Sequence, residues 1–249
     1  MKTKSLCSCH FLCILAVVLS SHTTAESAVA PQRETNPQGR TNAPSVVKFR
    51  PQTTGAASVR VTGGSRGTGD TEITLDVLAP DDVGMTTQEQ PSLFWFQSKP
   101  ANAKFELTLL QENTVKPIVQ VAVERSSKAG IQRMKLSDHG VKLSSNVEYQ
   151  WVVALITDPD NRSTDLVASG VIKRVEPSSE LKERIAKAAP ASQAGAYAEA
   201  GIWYDALTVL TDQIDAHAED KAMRLTRADL LRQVGLKAAA DYESNQDKK

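Results

Sequence analysis

The feature that most constrains the fold is a change of apolar spacing near residue 175. Before it, from Ser58 to Val175, short runs alternate apolar and polar residues, and turn residues separate the runs. In Ile73–Val77 the apolar residues fall at every second position, which places them on one face of a β-strand. After residue 175 alanine becomes abundant and the apolar residues recur at helical spacing. The sequence therefore predicts an α+β protein in which a helical region follows a strand region.

The strand region is predicted to form an antiparallel β-sandwich of the immunoglobulin or fibronectin type III kind, for which many short strands are typical. We expect strands near 58–62, 72–79, 92–97, 104–111, 117–124, 131–136, 147–156 and 166–175. Trp95 lies in the middle of one strand, where sandwiches bury a tryptophan. Tyr149 follows Leu143 by six residues, a spacing that resembles the fibronectin tyrosine corner, in which the hydroxyl bonds to upstream backbone. A solvent-facing tyrosine is the alternative.

The helical region carries a candidate internal repeat. Gly201 and Ala206 are followed 34 residues later by Gly235 and Ala240, and 34 residues is the tetratricopeptide period. The pattern resembles that repeat, with a glycine at the turn between two helices. Chance spacing in an alanine-rich stretch remains the alternative, and Ser244 stands where a large apolar residue is usual. Either way we expect two helical hairpins near 180–246.

The apolar face of these hairpins must be covered, either by the sandwich or by another protein. We interpret this face as the candidate partner-binding surface. Its predicted contact residues are Trp203, Tyr204, Leu207, Leu210 and Leu231.

The N-terminus has the three-part pattern of a secretory signal. Basic Lys2 and Lys4 precede an apolar run, and small residues end at Ala25. We therefore predict a signal peptide at 1–25, a flexible leader at 26–57, the sandwich at 58–176 and a helical tail at 177–249. The predicted location is periplasmic or secreted, with cleavage at Ala25 or nearby.

The cysteine, charge and histidine content of the chain excludes several classes of function. All three cysteines precede residue 14, so thiol chemistry is not expected of the exported protein. The chain has 29 basic and 29 acidic residues, which gives no electrostatic case for nucleic acid. His139 and His217 have no recognisable catalytic companions, so we predict no enzyme, no catalytic residue and no cofactor. One polar loop could offer oxygen ligands to a metal ion or bind a small ligand, and its candidate residues are Asp158, Asp160 and Asp165. A plain polar turn is the alternative.

Several segments, taken in order, resemble the bacterial family called domain of unknown function 928. They are Val61–Gly67, Gly84–Thr87 with Pro91 and Phe94–Phe96, Asp158–Ser163, Gly170–Val175 and Gly201–Leu207. The resemblance covers about 58–240. It implies an exported bacterial protein and supplies no reaction, ligand or catalytic residue.

The sequence therefore favours a non-enzymatic interaction or structural module of the cell envelope, whose partner would be an envelope protein. A glycan- or metal-binding sandwich that uses its loops is the second hypothesis, and a hydrolase with an unrecognised site is the third.

Overall fold

The computed structural model describes residues 47–52, 60–63, 65–66, 72–101, 103–112, 114–123 and 128–246. The predicted signal peptide at 1–25 and the leader up to residue 46 lie outside the described residues. Part of the predicted strand at 58–62 and the end of the predicted helical tail, 247–249, also lie outside them.

The first part of the described chain forms two β-sheets. The strands are β1 (Ser65–Arg66), β2 (Ile73–Val77), β3 (Gly84–Thr86), β4 (Ser92–Gln97), β5 (Lys104–Gln111), β6 (Val119–Val123), β7 (Gly130–Lys135), β8 (Glu148–Ile156) and β9 (Leu166–Arg174). One sheet has the order β1-β2-β4-β7 and the other the order β3-β9-β8-β5-β6. Most of the strands lie within a residue or two of their predicted positions, because their alternation reports the buried face.

The five-stranded sheet is mixed, which corrects the prediction of purely antiparallel strands. β3 runs parallel to β9, with Gly84 opposite Ile172. β3 is a strand that the sequence analysis did not predict. In the predicted strand at 58–62, Val61 forms an isolated bridge with Ser169.

The second part of the described chain is helical, which confirms the predicted α+β class. The helices are α1 (Ser179–Lys187), α2 (Pro190–Glu199), α3 (Trp203–Ala216), α4 (Lys221–Gln233) and α5 (Lys237–Ser244). Ser178 caps α1 by accepting a hydrogen bond from the Leu181 amide, and Asp220 caps α4 by accepting from the Ala222 amide. Across the described ranges, none of these helices has the length and apolar character needed to cross a membrane.

Two tight turns pair the helices. Gly201 joins α2 to α3 and Gly235 joins α4 to α5, and both have φ of 77°. This left-handed conformation favours glycine, which has no Cβ. The 34-residue spacing seen in the sequence therefore relates two turns of the same backbone conformation.

The four-stranded sheet is covered on both faces. Every residue of β4 is buried. On one face Trp95 approaches Phe105 of β5, with ring centroids 6.1 Å apart. On the other face Phe96 meets Tyr242 of α5 at 5.5 Å. The sheets and α2 to α5 contribute to one continuous hydrophobic core.

Residues 47–52 correct part of the predicted leader. Val47 and Phe49 are buried, and the Phe49 ring meets the edge of Trp203 at 4.9 Å. The Arg50 amide donates to the Ala198 carbonyl at 3.0 Å. The Gln233 side chain accepts from the Phe49 amide and donates to the Val47 carbonyl, each at 2.8 Å. These six residues are bound to the helices because their two apolar side chains complete the helical core.

Candidate functional site

A buried polar cluster joins β3 to α3. Asp205, in the first turn of α3, is only 3% exposed. Its carboxylate accepts hydrogen bonds from the hydroxyls of Thr86 at 2.6 Å and Thr87 at 2.5 Å. The Thr87 amide donates at 3.1 Å and the Gln88 side-chain amide at 3.3 Å. The end of β3 is thereby fixed to the start of the helix.

Burial and hydrogen bonding act on the Asp205 carboxyl in opposite directions. Desolvation raises its pKa above the usual 3.8, because the charged form loses its hydration. The donors from Thr86, Thr87 and Gln88 lower the pKa in part. Burial also raises the pKa of the Tyr197 phenol, and the negative charge of Asp205 adds to this effect.

Two aromatic residues next to Asp205 connect α3 to both sheets. The Trp203 indole nitrogen donates to the Leu78 carbonyl at 2.8 Å. The Tyr204 hydroxyl accepts from the Trp151 indole nitrogen at 2.9 Å and donates to the Val171 carbonyl at 3.2 Å. Complete burial raises the pKa of Tyr204, which keeps the hydroxyl protonated and able to donate.

A glycine makes this contact possible. A Cβ on Gly84 would lie 2.5 Å from Cε2 of Tyr204, closer than a real carbon contact allows. Two segments that carry the family resemblance, Gly84–Thr87 and Gly201–Leu207, therefore meet at this junction. Their side chains are buried, so the cluster positions α3 against the sheets and does not present a binding surface.

The same packing corrects the predicted partner-binding surface. Its five residues, each at most 1% exposed, are buried inside the chain: Trp203, Tyr204, Leu207, Leu210 and Leu231. The sheets and residues 47–52 cover the apolar face that we had assigned to a partner. The sequence could not decide whether the sandwich or another protein covers this face, because periodicity identifies an apolar face and not what lies against it.

The predicted polar loop is organised around an arginine. The Asp165 carboxylate accepts from Nε of Arg162 at 2.5 Å, and Nη2 of Arg162 pairs with Glu106 at 3.0 Å. Asp158 accepts from the amide of Asp160 at 2.9 Å, as in an Asx turn. Within the described ranges no group of three metal-ligating side chains is found, so Asp158, Asp160 and Asp165 do not converge on one point.

The outer face of the five-stranded sheet points away from the core. Its members share the outward positions of β5, β8 and β9, and Val61 adjoins them through its bridge to Ser169. The outward residues are Lys104, Glu106, Thr108, Leu110, Glu148, Gln150, Val152, Ala154, Ile156, Val167, Ser169, Val171 and Lys173. Val61 is 54% exposed and Val167 is 42% exposed. In a sheet with one solvated face these positions are usually polar.

Two ion pairs lie on this outer face, and the charged residues Lys104 and Glu112 are exposed at its margin. Glu106 binds Arg162 at 3.0 Å on one side, and Glu148 binds Lys173 at 3.1 Å on another. A shallow depression of about 350 Å³ adjoins the second pair. Its lining residues are Leu110, Gln111, Glu112, Thr114, Glu148, Gln150 and Val171. An apolar centre with a polar rim is the usual composition of a protein-binding surface.

Sequence reasoning identified neither the junction nor the outer face as a site. Asp205 carried a signal that could have been used, since a carboxylate interrupts the apolar run Ile202–Leu207. The outer face also had a signal, because Val167 and Val171 occupy strand positions where alternation predicts polar residues.

Comparison with known proteins gives one informative match. The family model described as Domain of Unknown Function (DUF928) matches residues 61–244. No curated protein matches the chain. A solved multi-domain immunophilin from Arabidopsis thaliana aligns at 10% identity over 75% of this chain and 97% of its own, with a TM-score of 0.17. That score supports no inference about fold or function.

Proposed function

The chain belongs to the DUF928 family, as its sequence segments indicated, and on that basis we propose that it is an exported, non-enzymatic interaction or structural module of the bacterial cell envelope. The proposed location, periplasmic or secreted, is supported by the signal-like pattern of residues 1–25.

The observation that carries the proposal is the outer face of the five-stranded sheet. The five helix residues predicted to bind a partner are buried within the chain, so the proposal does not rest on them. The outer face instead leaves Val61 and Val167 exposed beside Val152 and Val171. Because this face has an apolar centre and a polar rim, it suits a surface of an envelope protein that is apolar at its own centre.

We also propose a finer description of the architecture that supports this function. The two sheets form a fibronectin-like sandwich, supported by buried Trp95 and by the hydrogen bond from the Ser144 amide to the Tyr149 hydroxyl at 3.0 Å. The helical hairpins are tetratricopeptide-like, supported by the matched turns at Gly201 and Gly235. In this arrangement the tail is a rigid support for the sandwich.

Ligand binding is the weaker alternative. Glycan sites commonly stack sugars on exposed aromatic rings, and none of the aromatic side chains in the described ranges is exposed. The Asp165 carboxylate is already paired with Arg162, which competes with a metal ion for the same oxygen.

Site-specific photo-cross-linking in the producing bacterium tests the proposal. A photoreactive amino acid at Val167 should give a discrete cross-linked product with an envelope protein. The same amino acid at Lys182, exposed on α1, is the matched control and should give none. The additional change Val152→Lys should remove the product, since it places a charge at the centre of the apolar surface. Equal products at Val167 and Lys182, or no product at Val167, would overturn the proposal.

A further inference from the structure

The β6 edge of the five-stranded sheet has no second paired strand among the described residues. β6 is the last strand of the five-stranded sheet, and among the described strands it pairs only with β5. The opposite edge of that sheet, β3, lies against α3. The β7 edge of the four-stranded sheet lies against α5, where the Tyr242 hydroxyl donates to the Ala129 carbonyl at 2.9 Å.

The composition of β6 does not protect this edge. Its sequence, Val-Gln-Val-Ala-Val, contains no charged residue and no proline. Natural proteins usually protect an open edge strand with lysine, proline or a bulge, because the unpaired backbone groups can bind another strand. Val119, Val121 and Val123 point toward the core and are only partly buried, whereas Gln120 and Ala122 are exposed.

β6 is complementary to β6 of a second copy that is related to it by a twofold axis. In an antiparallel pair centred on Val121, that residue lies opposite the partner subunit's Val121. Val119 then lies opposite the partner subunit's Val123, and Gln120 opposite the partner subunit's Ala122. The valines meet on the core side, and no like charges face each other.

We propose that two copies of this chain associate by antiparallel pairing of β6 with β6 of a second copy, centred on Val121. The two five-stranded sheets become one continuous sheet across the twofold axis. The half-buried valines at the open end of each core gain a neighbour, which provides apolar burial in addition to the backbone hydrogen bonds. The inference goes beyond the proposed function, since the pairing uses the sheet edge and does not require the outer face to bind anything.

A disulfide trap tests the register directly. Paired residues on antiparallel strands have Cα atoms about 4.5 to 5.5 Å apart, within the range of a disulfide. In a full-length chain with Cys7, Cys9 and Cys13 replaced by alanine, Val121→Cys should form a covalent dimer on mild oxidation. Val119→Cys is the matched control, on the same strand and face. Its copies would lie four residues apart, roughly 13 Å, and should not cross-link.

Charge variants test the association without a new covalent bond. The double change Gln120→Lys with Ala122→Lys places like charges opposite each other, on side chains that are exposed in the single chain. It should weaken the dimer roughly tenfold at low salt, measured by sedimentation equilibrium. The control, Gln120→Lys with Ala122→Glu, places opposite charges in the same positions and should preserve the dimer. A monomeric wild-type chain, equal cross-linking of the two cysteine variants, or equal weakening by both charge variants would overturn the pairing.

Discussion

At the residue scale, the buried carboxylate of Asp205 makes stability depend on pH in an unusual direction. Its folded-state pKa is raised, so the folded chain binds the proton more tightly than the unfolded chain. The contribution of Asp205 to the free energy of unfolding is therefore fully present below the unfolded-state pKa of 3.8 and is lost as the pH rises through the folded-state pKa. Buried carboxylates with depressed pKa values behave in the opposite way.

We predict that Asp205→Asn destabilises the chain by about 1 to 3 kcal/mol and flattens the pH dependence of unfolding above pH 3.8. The loss arises because each carboxylate oxygen accepts from one threonine hydroxyl, and the amide nitrogen that replaces one of these oxygens in asparagine cannot accept. Urea unfolding at several pH values measures both effects. Asp215→Asn, an exposed carboxylate on the same helix, is the control and should follow the wild-type profile. Parallel pH profiles for Asp205→Asn and wild type would contradict the assignment.

The hydroxyl of Tyr204 gives a second prediction at this scale. Tyr204→Phe leaves the buried Trp151 indole nitrogen without its acceptor and should cost about 1 to 3 kcal/mol of stability. Tyr242→Phe removes one hydrogen bond at a partly buried site and should cost less. Urea midpoints of the two variants make the comparison, and a larger loss for Tyr242→Phe would show that the Tyr204 bonds are not what holds α3.

Individual residues also show what the sequence could and could not predict. The bond between the Tyr149 hydroxyl and upstream backbone was predicted from a local spacing of six residues, and the Ser144 amide makes it. Tyr204 was assigned to a partner-binding surface because it lies on an apolar helix face. Its actual partners, Trp151 and Val171, are more than 30 residues away in sequence, and spacing carries no information about such contacts.

At the scale of elements, the two glycine turns form a matched pair with different surroundings. Both have φ of 77°, so an alanine at either position is strained by about 1 to 2 kcal/mol. A Cβ at Gly201 would also lie 2.8 Å from the Arg50 carbonyl oxygen, whereas at Gly235 the nearest atom is 3.6 Å away. The turn at Gly201 therefore also contacts residues 47–52.

We predict that Gly201→Ala lowers the free energy of unfolding by at least about 1 kcal/mol more than Gly235→Ala. The extra loss should come from displacement of residues 47–52, so only Gly201→Ala should increase tryptic cleavage after Lys48, since trypsin does not cut the Arg50–Pro51 bond. Urea unfolding and timed trypsin digestion measure the two effects. Equal losses, with no new cleavage, would mean that the contact with residues 47–52 contributes nothing.

The elements that sequence predicted well are those with strong periodicity of their own. β5 and β8 alternate over eight and nine residues, and β4 is a short continuous apolar run, so their positions follow from local pattern. β3 has only three residues, all buried, and it forms a strand by pairing with the edge of β9. The end of β3 is bound to Asp205 of α3, and a three-residue strand is too short for alternation to reveal.

At the scale of the whole molecule, the sheets and helices are not independent. One hydrophobic core includes Phe49, strand residues such as Trp95 and helix residues such as Leu231. The boundary predicted near residue 177 is therefore a change of secondary structure within the shared core. Composition shifts locate changes of element type, and they do not show whether the elements on either side share a core.

The shared core predicts a single cooperative unfolding transition for the described part of the chain. Far-ultraviolet circular dichroism, which reports mainly the helices, and tryptophan fluorescence, which reports Trp95, Trp151 and Trp203, should give coincident urea curves. A chain truncated after Glu176 should lose the sharp transition, because β2, β4 and β7 would expose the apolar face that the helices cover. Truncation after Gln246 is the control and should unfold like the full chain. If the chain ending at Glu176 unfolded cooperatively at the wild-type midpoint, the sheets would be an autonomous domain and the helical tail only an attachment to it.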